Sequence, residues 1–151
     1  MVALRPLTEA NRAELEALRV APGQERFVST VAQSLREAAE HPGAHAIQWG
    51  VYAGETPVGF VMVADEVDGD DYIPRYLWKL LIDARHQRQG HGTAALDLVV
   101  AWFRGRPGAE VLTTSAVPGD GSPLPFYEGY GFERTGEEHG GELVLALRLA
   151  P

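Results

Sequence analysis

Residues 72–104 read YIPRYLWKLLIDARHQRQGHGTAALDLVVAWFR, and their apolar pattern divides them into three pieces. Tyr72 to Asp83 is a run of aromatic and aliphatic side chains, as expected of a central strand buried on both faces. From Gly92 to Arg104 the residues Ala95, Leu96, Val99, Trp102 and Phe103 recur every three or four positions, which predicts an amphipathic helix with one core stripe. Gln87-Arg88-Gln89-Gly90-His91-Gly92-Thr93 lies between the two. A loop that leads from a strand into a helix aims unpaired backbone N–H groups out of the helix N-terminus, where the macrodipole adds partial positive charge. Glycines there let a phosphate come close to the backbone. Arg85, His86, Arg88 and His91 add basic character in an otherwise acidic chain.

A Gly-x-Gly pair is more often a simple turn; its place between strand and helix is what points to a phosphate. Gly90, Gly92 and Ala95 also satisfy the Gly-x-Gly-x-x-Ala spacing of dinucleotide-binding folds. That fingerprint opens its domain, however, whereas here it stands past the middle of the chain, and Glu110 precedes its strand instead of ending it. A nucleotide-dependent oxidoreductase is disfavoured on this ground. No Gly-Lys-Ser/Thr follows the glycines, so the loop is not a Walker A motif.

Upstream, Val2 to Leu7 alternates as a short first strand. Thr8 is placed to cap a helix carrying Leu15 and Leu18 that ends at Pro22-Gly23. Phe27, Val28, Val31 and Leu35 share a face of a second helix, which stops near His41-Pro42-Gly43. Ala46 to Ala53 and Pro57 to Ala64, joined through Gly54-Glu55-Thr56, predict an antiparallel hairpin. Asp65, Glu66, Asp68, Asp70 and Asp71 then form a solvated loop. Downstream, Val111 to Val117 reads as a strand, Ser122 to Tyr130 as a short helix, and Phe132 and Leu143 to Leu149 as the last strands. Helices interleaved with strands predict a mixed α/β sheet covered on both faces.

With 151 residues and 45% hydrophobic side chains, residues 1–151 are expected to form one domain with a continuous core. The excess of 21 acidic over 13 basic side chains, a formal charge of -8, argues against nucleic acid or an anionic membrane as partner. It suits a cationic or neutral partner, or solubility alone. The lack of cysteine excludes disulfides, thiolate nucleophiles and cysteine-bound zinc. His41 and His45 are separated by Pro42 and no carboxylate completes a ligand set, so no metal is expected. Neither a targeting segment nor an apolar run near the roughly 20 residues of a membrane span is evident, which makes the cytoplasm the expected location.

Two segments together resemble the GNAT superfamily of N-acetyltransferases. Gln87, Gly90 and Gly92 match its cofactor loop, Gln/Arg-x-x-Gly-x-Gly/Ala, and Leu124-Pro125-Phe126-Tyr127-Glu128-Gly129-Tyr130-Gly131-Phe132 is similar to its Leu/Phe-Tyr-x-x-x-Gly-Phe segment. The likeness takes in Pro57-Val58-Gly59-Phe60 and is vaguest over the first 45 residues. It implies a twisted, mostly antiparallel sheet of six to seven strands with helices on both faces, and acetyl-CoA as co-substrate. By position, Leu80, Leu81 and Ile82 offer backbone to the pantetheine arm, while Gln87, Arg88, Gln89, Gly90, His91, Gly92 and Thr93 wrap the pyrophosphate. Tyr127 sits near the thioester sulfur. Asp120 stands where many relatives carry an Asn that contacts CoA, and Tyr76 where some carry a strand Glu as general base. The segment Tyr76 to Asp83, with Gln24 and Phe27, is similar to the spermine/spermidine acetyltransferase subgroup. That implies a polyamine or other small cationic amine as acceptor and contacts from Gln24, Phe27, Tyr76 and Trp78; a homodimer is a separate expectation.

The chemistry so implied is direct attack of a primary amine on the thioester, with orientation as the enzyme's main contribution. No Ser lies in a Gly-x-Ser-x-Gly elbow to suggest an acyl-serine route. Glu66 is the first base candidate, its alternative being an exposed loop carboxylate. Tyr127 is the general acid for the departing thiolate, its alternative a core residue between Phe126 and Tyr130. The acidic loop either gathers a polycation or is a solvated face. A non-catalytic acyl-CoA sensor with the same loop is the competing function.

Overall fold

The computed structural model describes residues 1–149. Over these the chain runs β1 (Val2–Pro6), α1 (Arg12–Glu16), α2 (Val31–Glu40), β2 (Ile47–Ala53), β3 (Thr56–Ala64), β4 (Tyr76–Ile82), α3 (His91–Arg104), β5 (Val111–Ala116), α4 (Leu124–Tyr130), β6 (Glu133–His139) and β7 (Glu142–Arg148). The strands form one sheet in the order β1-β2-β3-β4-β5-β7-β6. Every neighbouring pair is antiparallel except β4 and β5, which are parallel. The expected mixed α/β class with a mostly antiparallel sheet is what the chain adopts. Among the described residues, no helix is long and apolar enough to cross a membrane.

Two apolar clusters cover the sheet. Ala95, Leu96, Val99 and Phe103 of α3 and Leu124 and Tyr127 of α4 pack with Val61, Leu77, Leu112 and Leu145. Leu15, Leu18 and Val31 pack with Tyr52, Phe60, Met62 and Leu81. Leu77 and Leu81 would share a face in a regular strand, yet they belong to different clusters. The reason is a bulge: Met62 pairs with Lys79 and Val63 with Leu77, so Trp78 has no partner on β3. Trp78 packs into the second cluster and the next residue, Lys79, reaches the same side, bonding Ser29 and Glu37 at 2.9 Å each.

The β4–β5 ladder has a single pair, Tyr76 with Thr113. The buried Thr114 hydroxyl donates to the Leu77 carbonyl at 2.9 Å, and beyond that the strands part. This corrects the expectation of a strand over 72–83 buried on both faces. Within β4 only Leu77 and Leu81 are buried; Leu80 and Ile82 line one cavity, Tyr76 and Trp78 another, and Lys79 turns toward Ser29 and Glu37.

Other boundaries move for local reasons. Asn11, not Thr8, begins α1, its side chain accepting from the Thr8 amide at 2.8 Å, and the helix ends before Leu18. Phe27 and Val28 precede α2, because Thr30 and Gln33 form a reciprocal capping box that starts the helix at Val31. Asp65 is not solvated: it is 4% exposed and accepts from Arg106 at 2.7 Å. The strand read at Phe132 begins one residue later, as β6, which is exposed along its whole length and longer than the sequence suggests; Phe132 itself is a buried residue just before it.

Candidate active site

The wedge between β4 and β5 opens into a cleft of about 360 Å³. Leu80, Leu81 and Ile82 line one wall, α3 and its preceding loop close the end, and Phe126 and Tyr127 of α4 form the other wall. Gly90 has φ +82° and caps α3, a conformation that L side chains seldom adopt. At Gly92 a Cβ would lie 3.5 Å from the Phe126 ring and 3.7 Å from Ile82, so any larger side chain would occupy the cleft mouth. The 14-residue α3 therefore presents its first amides to a cleft that glycine keeps open. Arg88, His86 and His91 stand around that end.

Gln87 lines the cleft, but its amide is already engaged, donating to the Ile82 carbonyl at 2.9 Å and to Gln24 Oε1 at 2.8 Å. Its evident work is to fix the loop against β4. Gln24 also accepts from the Ala21 amide at 3.2 Å, which ties the segment before α2 to the same wall. Asp83 completes this support. Only 2% exposed, it accepts from the Arg19 amide at 2.9 Å, the Arg85 amide at 3.0 Å and Arg85 Nε at 2.8 Å. Burial by itself would raise its pKa, but the hydrogen bonds from Arg85 and from the two amides, with the Arg85 charge, outweigh that and hold it down to about 2.

Tyr127 is 5% exposed and lines the cleft. Burial pushes its pKa far above that of an ordinary phenol, the Thr114 hydroxyl acting in the opposite sense and Tyr76 in the same one.

Further toward the N-terminal end of β4 lies a second cavity of about 570 Å³, lined by Tyr76 and Trp78 together with Asp70, Asp71, Tyr72 and Glu142. Tyr76 Oη lies 2.5 Å from Ser115 Oγ, and Ser115 Oγ donates to Glu142 Oε1 at 3.2 Å. Burial raises the pKa of Tyr76, the Ser115 bond opposing and the Glu142 charge adding to it. Ser115 and Glu142 had no signal in the sequence, because only the pairing of β5 with β7 brings them together.

Of the expected cofactor residues, Leu80, Leu81, Ile82, Gln87, Arg88, Gly90, His91, Gly92, Thr93 and Tyr127 meet in the first cleft. Gln89 is exposed and lies 3.2 Å from His91 without lining it. Asp120 is exposed, its carbonyl accepting from Arg26 at 3.3 Å, and Gly121 and Ser122 line the cleft in its place. The four expected acceptor contacts are not brought together: Gln24 lines the first cleft, Tyr76 and Trp78 the second cavity, and Phe27 packs near Gly119 and Gly121 under Arg26. Glu66 lines neither. Its side chain is 82% exposed and 3.9 Å from Arg106, because Asp65 turns into the protein and directs Glu66 outward, so it is not placed to act as a base.

A family model described as Acetyltransferase (GNAT) family matches residues 27–132. No curated protein matches the chain in sequence. Among solved structures, an acetyltransferase from Thermus thermophilus is similar at TM-score 0.74 and 19% identity, covering 98% of this chain and 97% of that one. An aminoglycoside acetyltransferase solved with coenzyme A gives TM-score 0.75 at 18% identity, over 98% and 95%. The ribosomal-protein-S18-alanine N-acetyltransferase of Escherichia coli gives 0.68 at 15%, over 100% and 96%. At these identities the structures speak for the fold.

Proposed function

The chain belongs to the acetyltransferase (GNAT) family, with acetyl-CoA as its acetyl donor, and from that premise we propose that it acetylates the primary amine of a small cationic acceptor by direct attack on the thioester. The observation that carries this reading is the single-pair contact of β4 with β5. It leaves the β5-facing edge of β4 without ladder partners past Tyr76, and sets the two cavities one after the other along that strand.

The residues present fit the donor. The α3 amides, Arg88 and His91 suit a pyrophosphate, and the apolar wall of Leu80, Ile82 and Phe126 suits a pantetheine arm. Acetyl-CoA supplies a thioester carbon activated toward an amine. Tyr127, whose ring lines the first cleft, gives its proton to the departing sulfur and recovers one from the nitrogen as the amide forms. Asp70, Asp71 and Glu142, with the rings of Tyr72, Tyr76 and Trp78, give the second cavity the charge and aromatic faces that hold an ammonium group, which favours a polyamine or similar cation.

Thiol release from acetyl-CoA, measured with spermidine, lysine amide, kanamycin and a peptide with a free N-terminus, tests the reading. Saturable turnover with a polycationic member is expected. Tight CoA binding with no turnover of any amine would refute it in favour of an acyl-CoA sensor.

A further inference from the structure

Tyr76, Ser115 and Glu142 form a hydrogen-bonded chain along the wall of the second cavity, and its polarity is fixed by chemistry. The Glu142 carboxylate can only accept, so the one hydroxyl hydrogen of Ser115 is committed to it at 3.2 Å. Tyr76 must then be the donor across the 2.5 Å contact with Ser115 Oγ, which leaves the Tyr76 oxygen with acceptor capacity toward the cavity. All three residues line the proposed acceptor cavity, and the chain ends on a solvent-exposed carboxylate at the start of β7.

An amine acceptor arrives as an ammonium ion, since a lysine-like amine has a pKa of about 10.4, and it cannot attack until it loses a proton. We propose that Tyr76, Ser115 and Glu142 carry that proton to solvent, with Glu142 as the base. The ammonium N–H bond breaks as Tyr76 Oη takes the proton, the Tyr76 proton passes to Ser115 Oγ, and the Ser115 proton passes to Glu142. Free amine and a neutral carboxyl result, and Glu142 then releases the proton to water. No other reactant is required. Phenol and hydroxyl act only as carriers, and burial keeps Tyr76 neutral so that it never holds a charge the cavity would have to stabilise. The inference rests on the amine-acetylation reading above.

His41, Asp70, Asp71, Tyr72 and His139 also line this cavity from the surrounding loops and from β6. Among them His41 bonds Tyr72, at 3.4 Å. Glu142 alone is joined to Tyr76 through Ser115. The carboxylates of Asp70 and Asp71 attract the cation without receiving its proton, so their loss raises KM evenly across pH.

The test is kcat/KM against pH, from about pH 6 to about pH 10, for the wild type, Glu142→Gln, Ser115→Ala and Tyr76→Phe, with the fastest acceptor among spermidine, lysine amide, kanamycin and the peptide. Glu142→Gln keeps an oxygen for Ser115 to bond, and its site is exposed, so folding is preserved; thermal unfolding and CoA calorimetry check this. It should lose about 10²-fold near neutral pH and recover to within about threefold of the wild type as the pH approaches the amine's own pKa. Ser115→Ala and Tyr76→Phe should follow the same curve. A wild-type profile in Glu142→Gln, or a deficit that does not shrink with pH, overturns the relay while leaving acetyl transfer intact. A wild type that acetylates none of the amines overturns both.

Discussion

Replacing Asp83 by Asn should destabilise the protein in a way that disappears in acid. The carboxylate is buried and takes three short hydrogen bonds, two from backbone amides and one from Arg85, which hold its pKa at about 2 against 3.8 for an unperturbed aspartate. At about 1.4 kcal/mol per pKa unit, that depression corresponds to about 2.5 kcal/mol favouring the folded, ionised state. Arg85 is itself largely exposed, so water screens its share, and a loss of about 2 kcal/mol is the expected effect of Asp83→Asn at neutral pH. The sign follows from the direction of the shift. A carboxyl whose pKa is lower folded than unfolded contributes fully above the unfolded value of 3.8, and the contribution is lost as pH falls through about 2. Urea unfolding of both proteins, followed by tryptophan fluorescence, should therefore show a stability gap that shrinks to about a third between about pH 5 and about pH 2.5. Asp83 also fixes the Arg19 amide beside the bond from Ala84 N to the Arg19 carbonyl, at 2.7 Å, and so anchors the chain that leads to Val20 and Gln24 on the cleft wall. CoA affinity measured by calorimetry should fall severalfold in the same variant. A gap that stays constant over that pH range would refute the reasoning, since it would show that Asp83 is not held ionised by these bonds.

Tyr127→Phe preserves the packing of the ring against Phe132 and removes only the hydroxyl; a single-turnover measurement should find acetyl transfer slowed by about 10²–10⁴-fold with CoA affinity unchanged, and wild-type transfer would exclude the general-acid role. Gly92→Val places branched carbon against Phe126 and Ile82 at the cleft mouth, and calorimetry should show CoA binding weakened by at least about tenfold in a variant that melts like the wild type. Asp70→Asn with Asp71→Asn should raise the acceptor KM and flatten its dependence on salt, because both carboxylates line the second cavity; equal salt dependence in variant and wild type would reduce them to surface charge.

The glycine-lined end of the first cleft was legible in the sequence because its determinants are local. A strand, a loop with glycines at 90 and 92, and a helix with a three-and-four apolar repeat are all coded within some thirty consecutive residues, so their order alone directs helix amides outward. Tyr127 was legible for a related reason, since α4 and the following Gly131-Phe132 turn carry their own short pattern. What lay beyond the sequence depends on partners distant in the chain. Strand β6 is polar along its length and fully exposed, so no alternation announces it, and only pairing with β7 makes it a strand. Asp65 looked like one of five solvated acids until Arg106, brought back by α3, took it inside and turned Glu66 away. The bulge at Trp78 and the one-pair ladder between β4 and β5 are properties of registers between strands, which no single segment encodes. Those registers create both cavities and join Tyr76 to Ser115 and Glu142. Residue types and local periodicity thus determined which chemistry the chain could hold, and the tertiary pairing of its strands decided where that chemistry meets and which carboxylate stands beside it.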